Sequence, residues 1–71
     1  MTAYAARVMV NGEPHALPEP TTLAELLGRL GHTPASVSTA VNGDFVPRQA
    51  RQEHVLADGD RVQCFQPIVG G

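Results

Sequence analysis

Lysine is absent from this 71-residue sequence, and all five of its basic side chains are arginines. The only ordinary amine is therefore the N-terminus, so the chain cannot accept a lysine isopeptide bond. One cysteine, Cys64, rules out the internal disulfide framework on which many small secreted domains depend, and a reducing cytoplasm is the expected home. No stretch approaches the roughly 20 apolar residues that span a bilayer, and the start lacks a basic segment followed by a long apolar one. Neither export nor a membrane partner is expected. Arg7, Arg29, Arg48, Arg51 and Arg61 are scattered, and the formal net charge is −2, so no basic block exists to grip a phosphate backbone. Nucleic acid is not an expected partner.

What is present reads as one folded domain. Apolar residues make up 42% of the chain and charged residues 17%, above the apolar content and below the charge of disordered chains. Seventy-one residues leave no room for a second core. Tyr4–Val10 alternates, with Val8 and Val10 on one face and Arg7 and Met9 on the other. Asn11-Gly12 follows and favours a type I′ turn, so Tyr4–Val10 and Glu13–Leu17 form a predicted hairpin, with Pro14 marking the second strand as an edge.

Pro18 and Pro20 extend the link to Thr22-Leu23-Ala24-Glu25, a capping-box pattern that starts a helix. Leu23, Leu26, Leu27 and Leu30 fall on one stripe facing the sheet, and Gly31 suits the position just past the helix end. Gly28 inside the helix is either tolerated or a point of close packing. After a loop over 32–37, the pattern predicts a strand at Ser38–Val41, a second Asn-Gly turn at Asn42-Gly43, and a short strand at Asp44–Val46 that Pro47 ends. Arg48–Glu53 is polar and reads as a turn or 3-10 segment. His54–Leu56 adds a brief extended piece, and Asp58-Gly59-Asp60 turns the chain into a last strand, Arg61–Gln66. There Val62 and Cys64 face inward, and Arg61, Gln63 and Phe65 outward. Pro67 cannot donate to a ladder, so Pro67-Ile68-Val69-Gly70-Gly71 is expected to project as a flexible tail from a domain over 1–66. One helix crossing a small mixed sheet is the two-layer solution open to so short a chain, which predicts an α+β fold of the β-grasp, ubiquitin-like class.

Isolated residues carry little chemistry of their own. Cys64 shares a face with Val62 and reads as a small core residue rather than a nucleophile. His15, His32 and His54 lack the close spacing of zinc ligands, Asp58-Gly59-Asp60 lacks the further oxygens of a calcium loop, and no nucleophile–base set or phosphate-cradling loop occurs. The chain is expected to bind neither a metal nor a cofactor and not to be an enzyme.

The combination Val41-Asn42-Gly43, Phe45-Val46-Pro47-Arg48, Leu56, Asp58-Gly59-Asp60-Arg61-Val62 and Pro67-Ile68-Val69-Gly70-Gly71 resembles the ThiS family, the sulfur carriers of thiamine biosynthesis. The sulfur-carrying small subunit of molybdopterin synthase shares the fold and the Gly-Gly end, and Phe65-Gln66-Pro67 fits either family. The length and Val46-Pro47-Arg48 favour the thiamine carrier. Where many thiamine carriers have a tryptophan shortly after the Pro-Arg pair, this chain has Arg51.

The resemblance implies that a ThiF-like adenylating enzyme, using ATP with magnesium, joins Gly71 to AMP. A persulfide donor such as a cysteine desulfurase then leads to a thiocarboxylate on Gly71, and a ThiG-like thiazole synthase takes the sulfur. Supply of sulfur to molybdopterin or another metabolite, or attachment to target amines as a ubiquitin-like modifier, are the alternatives. Gly70 and Gly71 lack the Cβ that would obstruct a narrow channel. Five extended residues reach at most about 17 Å, so the carboxylate can enter a deep site while the domain docks outside. Phe65 is the expected apolar anchor, with Pro67, Ile68 and Val69 beside it. Arg48 is either a docking contact or a solvated charge.

Overall fold

A computed structural model describes residues 5–66 of the chain. Five strands, β1 (Ala6–Val10), β2 (Glu13–Leu17), β3 (Ser38–Val41), β4 (Asp44–Val46) and β5 (Arg61–Phe65), form one sheet in the order β2-β1-β5-β3-β4. One helix, α1 (Leu23–Arg29), covers one face of it, among the described residues. β5 pairs parallel to β1 and antiparallel to β3, the mixed β-grasp arrangement expected from the sequence.

Both hairpins close as their Asn-Gly pairs require. Asn11 and Asn42 adopt φ of 50° and 53°, and the glycines after them 86° and 86°. Positive φ at both central residues is the type I′ turn, whose twist matches that of the strands. It sets Val10 opposite Glu13 and Val41 opposite Asp44. Pro14 falls on β2, at the edge of the sheet, where its missing N–H costs no ladder bond.

The capping box forms at the start of α1. Glu25 N–H donates to Thr22 Oγ1 at 3.2 Å, and Thr22 N–H donates to Glu25 Oε1 at 2.9 Å. The Thr22 N–H and, less strongly, the Thr22 hydroxyl, both donating to Glu25 Oε1, hold this carboxyl below its ordinary pKa, with Arg29 adding a smaller pull. At the other end Gly31 takes φ +84°, and the His32 and Gly31 N–H groups donate to Leu27 and Gly28 carbonyls, a Schellman closure. Leu23, Leu26 and Leu27 are buried and Leu30 is partly so. They meet Val8, Val10, Val41, Val46 and Val62 from the sheet, with Leu17, Val37 and Leu56 closing the sides. A Cβ added at Gly28 would meet nothing within 4 Å, so this glycine marks no close packing.

The segment before β5 ties sheet to helix. Leu56 N–H donates to Thr21 O, Leu23 N–H donates to His54 O, and Val55 bridges Thr22, the brief extended piece that the sequence predicts. Short 3-10 turns occupy Pro34–Ser36 and Arg48–Ala50.

Arg51 belongs to a polar run but is only 3% exposed. Its Nε donates to Thr39 Oγ1 at 3.1 Å, and its two terminal nitrogens donate to Pro34 O at 3.0 Å and Val37 O at 2.6 Å. Thr39 Oγ1 in turn donates to Val46 O. The carbonyl of Arg51 accepts from Ala24 and His54. Among the described residues the one ion pair is Arg29–Glu19, so dipoles rather than a carboxylate meet the buried guanidinium. A planar fork with five N–H groups suits such divergent acceptors.

Candidate functional site

Directly paired residues of a sheet share a face, and successive residues alternate. Val62 and Thr39 point toward α1, while Gln63 and Phe65 of β5 pair with Ala40 and Ser38 of β3 on the opposite face, which no described element covers. Phe65, the expected anchor, sits there at the end of β5 and is 53% exposed. Phe45, from β4, pairs with Ala40 on the same face and is 69% exposed. The two rings thus stand on either side of small Ala40 and Ser38, with Cα atoms roughly 12 Å apart from two strand spacings and one pair step. Sequence reading passed over Phe45, although its alternation with buried Val46 was the available signal.

Beside Phe65 a shallow groove of about 550 Å³ runs between β1 and β5, lined by Met9, Asn11, Gly12, Arg61, Gln63 and Phe65. The face therefore combines apolar Phe45, Phe65, Ala40 and Met9 with polar Ser38 and Gln63 and the cation Arg61, a mixture suited to protein docking.

Arg48 is not part of this surface. It is exposed in the 3-10 turn after β4 and lines a cleft of about 140 Å³ with Leu27, Gly28, His32 and Arg51, on the helix side of the sheet. Cys64 is half-buried, packed against the core beneath β5, and burial pushes its thiol pKa up against a smaller opposing pull from Arg51. A thiol held neutral is a poor nucleophile, in keeping with a packing role. Pro67, Ile68, Val69, Gly70 and Gly71 lie outside the described residues, as does the division of the chain at 66/67.

The strand that leads to those residues is clasped at both ends. At its start, Arg61 N–H donates to Asn42 Oδ1 at 2.9 Å, and Asn42 Nδ2 donates to Asp60 Oδ1 at 3.0 Å. Asp60 Oδ2 accepts from Ala57 N–H, and Asp58 Oδ1 accepts from Arg7 N–H, so the Asp-Gly-Asp carboxylates serve as turn acceptors. At its end, Cys64 N–H donates to Asn11 Oδ1 at 2.9 Å.

The ThiS family model matches residues 8–71. This chain belongs to the ThiS family. A curated relative, the sulfur carrier protein ThiS of Escherichia coli K12, is 40% identical over 50 residues, which span 70% of this chain and 76% of that one. The crystal structure of the thiamine biosynthesis protein ThiS from Geobacter metallireducens superimposes with a TM-score of 0.77 at 29% identity, covering 92% of this chain and 99% of that one. The solution structure of a thiamine biosynthesis protein from the same organism gives 0.71 at 32% identity, with 92% and 86% covered. Against this ThiS-family background the β-grasp fold is shared, and no helix among the described residues is long and apolar enough to cross a membrane.

Proposed function

We propose that this ThiS-family chain is a sulfur carrier for thiazole formation in thiamine biosynthesis, acting in the cytoplasm as a cosubstrate and not as a catalyst. The observation that carries the proposal is the family match through residue 71, which takes in Gly70 and Gly71. The relatives' names, sulfur carrier for one and thiamine biosynthesis for the others, support the same pathway.

A carboxylate is a poor acyl donor, because its charge is delocalised and its leaving group would be hydroxide or oxide. A ThiF-like enzyme with ATP and magnesium removes that obstacle: a Gly71 oxygen attacks the α-phosphorus, pyrophosphate leaves, and an acyl-adenylate forms. The terminal sulfur of a persulfide then attacks the carbonyl carbon and AMP departs. A thiol of the donor cleaves the resulting S–S bond, forming its own disulfide and releasing the Gly71 thiocarboxylate, which a ThiG-like thiazole synthase consumes. Phe65 and Phe45 anchor the domain on these partners, and Ile68 and Val69 extend the apolar contact toward Gly71. Arg48, on the other side, is a separate contact.

An added alanine after Gly71 tests the proposal. With adenylating enzyme, ATP and a sulfur donor, the extended chain yields no thiocarboxylate, whereas the native chain does. Equal yields from both chains reject it.

A further inference from the structure

β1 ends at Val10, which pairs with Val62, but β5 continues for three more residues. On the side of β5 that faces β1, the next peptide group to need a partner is that of Cys64. Among the described residues no strand supplies one. The side chain of Asn11 does: Cys64 N–H donates to Asn11 Oδ1 at 2.9 Å, and Asn11 Nδ2 lies 3.4 Å from Cys64 O, a long and weaker contact. Asn11 N–H itself donates to Val62 O. The residue that makes the first hairpin turn therefore also prolongs the β1–β5 ladder to within two residues of Gln66.

We infer that Asn11 is a positioning residue, whose side chain fixes the last rung of the β5 ladder and so holds Phe65 in the geometry a partner reads. This rests on the carrier reading above. Asn42 makes a similar bond to Arg61 N–H at the opposite end of β5, which provides a matched control. Without the Asn11 side chain, Cys64 and Phe65 keep their pairing to β3 alone. Only a fraction of molecules then present the binding geometry, and apparent affinity falls by that fraction.

Glycine preserves positive φ at both turns, so Asn11→Gly and Asn42→Gly remove the clasps without forbidding the turns. Asn11→Asp keeps the acceptor for Cys64 N–H. With the full chain and a ThiF-like enzyme, pyrophosphate release gives KM and kcat, and amide hydrogen exchange reads the clasp directly. N11G is expected to expose the Cys64 amide to exchange and raise KM roughly two- to fivefold at unchanged kcat, the factor one solvent-accessible hydrogen bond converts to. N11D restores KM, and N42G lowers the melting temperature without moving KM. An unchanged KM in N11G, an equal rise in N42G, or a loss confined to kcat overturns the inference. A native chain that releases no pyrophosphate defeats the carrier reading itself.

Discussion

Replacing Arg51 by methionine keeps an unbranched apolar stem while removing every nitrogen that reaches Thr39 Oγ1, Pro34 O and Val37 O. Two of these three bonds are buried, and each hydrogen bond from a charged donor contributes about 1.5–3 kcal/mol net. Against that loss stands the relief of a guanidinium that has no carboxylate partner, since burying an unneutralised charge is costly. Taking the low end for the two buried bonds, and less for the part-buried one, gives a net destabilisation of about 3 kcal/mol. A 71-residue domain has on the order of 4–11 kcal/mol of stability in total, so this single residue supplies a large share. The melting temperature should fall by about 12–24 °C, at roughly 4–8 °C per kcal/mol for a domain of this size. Urea denaturation of R51M, T39V and the double variant measures it, and the cycle should show a coupling of about 1 kcal/mol between the two sites. An R51M protein within about 0.5 kcal/mol of the native one, or strictly additive variants, refutes the view that the guanidinium holds the 33–37 loop to β3.

Other perturbations follow from the same geometry. Gly28→Ala meets no atom within 4 Å of its new Cβ and replaces a poor helix former, so it should stabilise by about 0.5–1 kcal/mol in denaturant titration. Because the folded Glu25 pKa lies below its ordinary 4.5, the capping box contributes stability above that value and loses it as pH falls through the lower folded pKa. An NMR titration of the Thr22 amide should therefore have its midpoint below 4.5, and Glu25→Gln should abolish that titration. Phe65→Ser and Phe45→Ser, at exposed positions, should leave the melting temperature nearly unchanged while raising KM with the adenylating enzyme about tenfold or more, the range of interface anchors. Unaltered KM in both would remove the sheet face as the docking surface.

The elements that local chemistry specifies were legible in the sequence. Asn-Gly fixes a two-residue turn by φ alone, and both hairpins have the strand bounds expected near it. Thr22, Glu25, the leucine stripe and Gly31 specify α1 within one turn of chain on either side. What stayed hidden depends on residues far apart in sequence. Arg51 looks solvated within Arg48–Glu53, and its acceptors arrive from 12 to 17 residues upstream, so only the folded loop reveals a buried cation. The Asn11 clasp spans 53 residues and requires knowing that β5 lies parallel to β1 and outlasts it. Phe45 is different. Its outward position is readable beside Val46, but a three-residue strand gives too brief an alternation to single it out.

The most direct measurement is intact-protein and terminal-peptide mass spectrometry of the native chain recovered from sulfur-replete cells that contain its adenylating enzyme. The carrier account predicts a population in which one terminal oxygen of Gly71 is replaced by sulfur, and which returns to the plain carboxylate when a thiazole synthase and its other substrates are added. A Gly71 found as an unaltered carboxylate throughout, or joined to a lysine amine of another protein, would contradict it.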